Sequence, residues 1–268
     1  MSRPLYGTLL RKGAQSVASY SLGMVFYLWL FIWIYPSFAH SQALNALLGQ
    51  LPKGLLQVLG YTVGITHLSG FIGGEFYSVI YLLIMAIFAI FAATRLVAHM
   101  AENGSLAYLL ATPVPRRRIA ATAAAVLLTE VVAIGLVTAL GGLLGAALFV
   151  RDAALNAVWF LELNLVGTLL FCVVAGYAFV LSCLAPDERS ALSLSALLTL
   201  VLYALHLAAD LTARLAWLGH LSLFSVLDSQ ALIEGRGPVG ADVAGLAFAT
   251  VLLVAAGVLG FGRRQFSL

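Results

Sequence analysis

The stretch Val79-Ile80-Tyr81-Leu82-Leu83-Ile84-Met85-Ala86-Ile87-Phe88-Ala89-Ile90-Phe91-Ala92-Ala93 carries no charge and no alternation of polar with apolar residues. It belongs to a longer run, Phe76 to Val97, close to the roughly 20 residues an α-helix needs to cross about 30 Å of hydrocarbon. A strand of a membrane barrel would alternate over about ten residues. In hydrocarbon every backbone N–H and C=O needs an internal partner, and a continuous apolar run finds these only as a helix. Leu192 to Leu205 reads the same way. The whole chain agrees: of 268 residues, 62% are hydrophobic and 9% charged, against about 25% charged in a soluble domain. A water-soluble fold of this length cannot hide that much apolar surface, so the bilayer is the solvent for most of the chain.

Working outward gives six spans in one domain covering 1–268: Val17 to Phe38, Phe76 to Val97, Ile119 to Leu140, Leu155 to Leu184, Ser190 to Ala209 and Val243 to Gly262. The fold class is all-α integral membrane with both termini on one side. The positive Met1 to Lys12 before an apolar run raises the question of a signal peptide, but Val17 to Phe38 is too long and too aromatic for one. If the termini are cytoplasmic, the inner segments hold Arg3, Arg11, Lys12, Arg95, Arg116, Arg117, Arg118, Arg189, Arg263 and Arg264, and the outer ones Lys53, Arg151, Arg214 and Arg236. That partition follows the positive-inside rule and predicts a multi-pass protein of the inner (cytoplasmic) membrane. Basic residues then orient spans, so the net charge of +3 does not point to nucleic acid.

Several connecting segments read as interfacial. Leu5 and Leu9 at helical spacing beside Arg11 and Lys12 predict a short helix lying in the inner interface before the first span. Ala43, Leu44, Leu47, Leu48 and Leu51 predict an outer amphipathic helix, followed by a Gly-rich stretch from Gly60 to Gly74 that dips toward the bilayer. Trp217, His220 and Phe224 predict an outer interfacial helix or hairpin, with the charged turn Asp228 to Asp242 after it. Cys172 and Cys183 sit in one apolar segment, about 16 Å apart along a helix; no disulfide reaches that far.

The sequence carries little that resembles enzyme chemistry. There is no G-x-x-x-x-G-K-[ST] phosphate loop, no His-Glu-x-x-His and no Cys-x-x-Cys. No catalytic residue, metal site or cofactor of this chain's own is predicted. Glu130 falls within the third span, where an acid costs about 2.5–3.5 kcal/mol on insertion scales unless protonated or paired. It reads either as a functional acid on a translocation path or as a staple between helices. Glu162, in the outer part of the fourth span, is a second candidate for the path, although it can reach headgroup water, as can His206 and Asp210 at the end of the fifth. Gly135, Gly141, Gly142 and Gly145 crowd the outer half of the third span, as a packing interface or a hinge would require.

The densest unusual segment joins the second and third spans: His99-Met100-Ala101-Glu102-Asn103-Gly104-Ser105-Leu106-Ala107-Tyr108-Leu109-Leu110-Ala111-Thr112-Pro113-Val114-Pro115-Arg116-Arg117-Arg118. Leu106, Leu109 and Leu110 share one helical face, and Pro113 and Pro115 stop the helix. The segment resembles the one that membrane permease subunits of type-2 ABC (ATP-binding cassette) transporters carry at this place: an acid, Gly-Thr or Gly-Ser, a Leu-rich turn, then Pro-Val-x-Arg. Here these are Glu102, Gly104, Ser105, Leu106, Leu109, Leu110, Pro113, Val114 and Arg116. Leu51-Pro52-Lys53-Gly54-Leu55-Leu56, Gly70-Phe71 to Glu75-Phe76, and the ending Gly262-Arg263-Arg264-Gln265-Phe266 resemble further stretches of that family. Two departures are His99-Met100, where the family often has another acid, and Leu221-Ser222-Leu223-Phe224, which lacks the family's proline.

The resemblance implies a permease, expected to be an exporter, that pairs with a second permease copy, identical or not. Two cytoplasmic ATPase subunits would bind the ATP and Mg and engage a coupling helix made of Glu102, Gly104, Ser105, Leu106, Leu109, Leu110, Pro113 and Arg116. The competing readings are an ion-driven secondary transporter using Glu130 and Glu162 as a relay, for which an inverted repeat would be the sign, and an intramembrane enzyme or immunity-type protein.

Overall fold

The computed structural model describes residues 3–39, 68–104, 114–150, 155–211, 213–227 and 239–263. Among these there is no strand, and six helices are long and apolar enough to cross a membrane. This is the architecture of a multi-pass membrane protein.

The first span is one helix, α1 (Arg3–Ala39). The sequence predicts a separate interfacial helix before it; nothing between Pro4 and Val17 breaks the backbone, so the two run together. The second span starts earlier than hydropathy places it, with α2 (Leu68–Phe71), a π-helical stretch (Ile72–Tyr81) and α3 (Leu82–Leu96). In the π stretch Ser78 Oγ donates to the carbonyl of Gly73 at 3.0 Å, five residues back. After a break at Val97 comes the short α4 (Ala98–Glu102). The third span is α5 (Arg116–Phe149), the fourth α6 (Ala157–Leu184), the fifth α7 (Glu188–Leu211) and the sixth α8 (Val239–Arg263). The expected interfacial element after the fifth span is a 3-10 helix, Ala213–Leu221, with Trp217 exposed. Asp242, expected in a loop, lies in the first turn of α8. The predicted outer helix, most of the Gly-rich stretch and the C-terminal Arg264 to Phe266 lie outside the described residues.

α6 is the most buried span, and α5 packs between it and α1. The third-span glycines are a packing seam that works on two sides. A methyl group on Gly135 or Gly142 would come within 2.1 Å of Thr168 or 2.2 Å of Phe160, both on α6. On Gly141 or Gly145 it would come within 2.5 Å of Val25 or 2.7 Å of Trp29, both on α1. Trp29 Nε1–H also donates to the carbonyl of Gly141 at 2.7 Å, so close backbone approach is matched by a hydrogen bond across the seam. Cys172 and Cys183 are buried and form no disulfide with each other.

At one end of the bundle Gly262 of α8 lies against Arg117 of α5, and Tyr6 of α1 bonds Thr129 of α5 at 2.9 Å. This basic end carries all the described basic residues except Arg214, which follows α7 at the far end.

Candidate functional site: polar contacts toward the basic end

Glu130 has a fully buried side chain, and its two carboxylate oxygens accept from one guanidinium nitrogen, Nη2 of Arg95, at 2.9 and 2.8 Å. Arg95 Nη1 donates to Ser16 Oγ at 3.2 Å. Three consecutive spans are thereby tied together by one charged pair. Gly13 of α1 makes room for it, since a Cβ there would sit 1.7 Å from Glu130 Oε1. The sequence singles out Glu130 but gives Arg95 only an orienting role; the structure makes Arg95 its partner. A buried acid with an arginine near a span's end is the signal that could have suggested the pair, since hydrocarbon offers such an acid no other compensation.

The two candidate path acids do not meet. Gly142 faces Phe160 and Gly135 faces Thr168, so α5 and α6 run antiparallel, and Glu162 lies level with the Gly142 region. Glu130 is then about 15 Å away along the bundle at 1.5 Å per residue. Glu162 is partly exposed. His206 Nε2 and Asp210 Oδ2 face each other at 3.6 Å on α7 and line a small far-end cavity of about 40 Å³ together with Tyr77, Ser78 and Tyr203. Below it an apolar groove of about 530 Å³ runs between the second and fifth spans, past Leu83, Ile87, Phe91, Leu192, Ala196 and Leu200.

Of the predicted coupling residues, Glu102, Gly104 and Arg116 are described, whereas Ser105, Leu106, Leu109, Leu110 and Pro113 lie outside the described residues. Glu102 ends α4, and its Oε2 accepts from the backbone N–H of Glu188, the first residue of α7, at 3.0 Å. His99 Nδ1 lies 2.6 Å from the carboxylate of the same Glu188. Gly104 has φ +73°, the left-handed backbone that glycine adopts without penalty and that commonly closes a helix. Arg116 opens α5 directly after Pro115, a residue whose fixed φ suits a helix start.

The turn before α7 adds one more acid. Asp187 accepts from the backbone N–H of Ser190 at 2.7 Å, as a helix N-cap does. That bond holds its carboxyl below the usual carboxylate range. In the departing Leu-Ser-Leu-Phe stretch, Ser222 Oγ donates to the carbonyl of Leu202 at 2.7 Å and accepts from Phe224 N–H at 3.1 Å. Phe224 is buried against Phe171 and Tyr203. The stretch thus anchors the loop without its proline. Compared with known protein families the chain matches none, and no curated protein matches it at a significant level.

Proposed function

We propose that the chain is the membrane permease subunit of an ATP-driven transporter of the type-2 ABC kind, an exporter that works as a pair of permeases with two separate cytoplasmic ATPase subunits. The reading is carried by the segment Glu102 to Arg116, whose acid, Gly-Ser, leucines and Pro-Val-x-Arg resemble the coupling segment of that family. It is supported by six helices long enough to span, and by basic residues gathered at the end of the bundle where that segment begins and ends. In this reading the leucine face docks in a groove of the ATPase, and the rigid Pro113–Pro115 boundary passes its movement to the third span. ATP and Mg belong to the partner, and this chain does no covalent chemistry. The ion-driven alternative is weakened because Glu130 is paired with Arg95 and lies far from Glu162, whereas a relay needs acids close enough to pass an ion between them.

The test is copurification from native membranes followed by Leu106→Asp with Leu109→Asp. The unaltered chain should bring down a stoichiometric ATPase; the double variant should insert and dimerise normally but lose it, because one unpaired buried charge costs several kcal/mol. Retention of the ATPase with substrate-responsive hydrolysis in the double variant would refute the coupling assignment.

A further inference from the structure

Helix α4 has five residues, too few to hold a helical turn by its own hydrogen bonds. It is cut off from α3 at Val97 (φ −132°, ψ −67°) and ended by Gly104. Its fixed position therefore needs contacts from elsewhere: Met100 and Ala101 pack against the main core, and the polar contacts come from the start of the fifth span. Glu102 accepts from the Glu188 N–H, His99 pairs with the Glu188 carboxylate, and Ala98 packs in a small buried cluster with Ala185 and Ala191. Small side chains at all three places let the two backbones approach closely. Helix α7 is itself thinly embedded: of its 24 residues only Ala191, Ser195 and Thr199 are buried. Its start is held by α4, its middle by Thr199 on Tyr177, and its far end by Tyr203 on the Ser78 carbonyl at 3.3 Å.

From this arrangement we propose that α4 clamps the start of α7, with Glu102 and His99 as positioning residues, so that a displacement of the segment after Glu102 reaches the fifth span as well as the second and third. The inference rests on the permease reading for its purpose, though the clamp itself does not. The Glu102 carboxylate serves the N-terminus of α7, where a negative charge is favourable. The same motion has a defined target, since α7 forms one wall of the apolar groove against the second span.

Two measurements separate the clamp from its purpose. In the full chain in phosphatidylcholine nanodiscs, hydrogen exchange of the amides of residues 188–192 should rise about tenfold in His99→Ala/Glu102→Ala, because bonds to charged groups that hold a helix end are lost. Exchange in α5 should stay as it was. Glu102→Gln keeps an acceptor oxygen and should exchange close to the unaltered chain. Unchanged exchange at 188–192 in the double variant, or equal exchange in Glu102→Gln and Glu102→Ala, would overturn the clamp. With the copurified ATPase, His99→Ala/Glu188→Ala, which loosens the clamp without touching a residue of the coupling segment, should keep the partner at full stoichiometry and hydrolyse ATP several-fold more slowly. Hydrolysis at the original rate with 188–192 freed would overturn the transmission. Failure of the unaltered chain to bring down any ATPase would count against the permease reading and leave the exchange result standing.

Discussion

Replacing Gly13 by alanine puts a single methyl group where the Glu130–Arg95 pair now sits. The new Cβ would be 1.7 Å from Glu130 Oε1, 2.8 Å from its Cδ and 2.9 Å from Arg95 Nη2, so the carboxylate must retreat by more than an ångström or α1 must move away. The carboxylate is fully buried, and any retreat lengthens its bonds to Arg95. Removing one partner of a buried ion pair typically costs about 3–5 kcal/mol; displacing it without removing it should cost about 2–4. Against this, alanine favours the helix by about 1 kcal/mol over glycine, leaving a net loss of about 1–3. Gly7 and Gly23 lie on the same helix, and a methyl group on either would meet nothing within 4 Å, so alanine there should be neutral or stabilising. Reversible unfolding in mixed micelles reads the three variants. A double-mutant cycle with Glu130→Ala isolates the cause, since Gly13→Ala should lose most of its penalty once the carboxylate is gone. If Gly13→Ala is as mild as Gly7→Ala, or costs the same with and without Glu130, the tight approach of α1 to the pair is not what stabilises this end.

Asn156 Oδ1 accepts from the N–H groups of Val158 and Trp159 at 3.1 and 3.2 Å, so Asn156→Ala should destabilise the start of α6 by about 1 kcal/mol in the same unfolding assay. Asp187 has a lowered folded-state carboxyl; its contribution is therefore present above its unfolded value of about 3.9 and lost as pH falls through the folded value. Protection of the Ser190 amide, taken as its exchange rate relative to the intrinsic rate at each pH, should fall below about pH 4 in the unaltered chain, and Asp187→Asn should shrink that pH step. A single cysteine at position 116 should be closed to an impermeant thiol reagent in intact cells and one at 236 open to it; labelling of position 116 from outside would reverse the assigned orientation.

The number of spans was legible because hydropathy alone sets it, and Val79 to Ala93 or Leu192 to Leu205 need no partner to be read. What was not legible is where a helix begins when no breaker marks the place. α1 runs unbroken from Arg3, and the second span starts at Leu68 through a π stretch that periodicity does not announce. Glu130 stood out because a lone acid in an apolar run is costly. Its partner did not, because Arg95 is 35 residues away and their meeting depends on the rotation of three helices and on the missing side chain at Gly13. The glycines of the third span read equally as a packing interface or a hinge, and only the structure shows a pair facing α6 and a pair facing α1. His99 read as a departure from a motif, and its pairing with Glu188, on a different span, has no local signal.

The Arg95–Glu130 pair also bears on how the chain enters the bilayer. Arg95 precedes Glu130 in synthesis, so the second span has left the ribosome with its guanidinium waiting when the acid of the third emerges. Entering alone, the third span would carry a carboxylate worth about 2.5–3.5 kcal/mol against partitioning; entering as a hairpin, it brings a charge already neutralised. Spans two and three should therefore integrate as one unit, and in a glycosylation-reporter assay Arg95→Ala should lower integration of the third span although the change lies outside it.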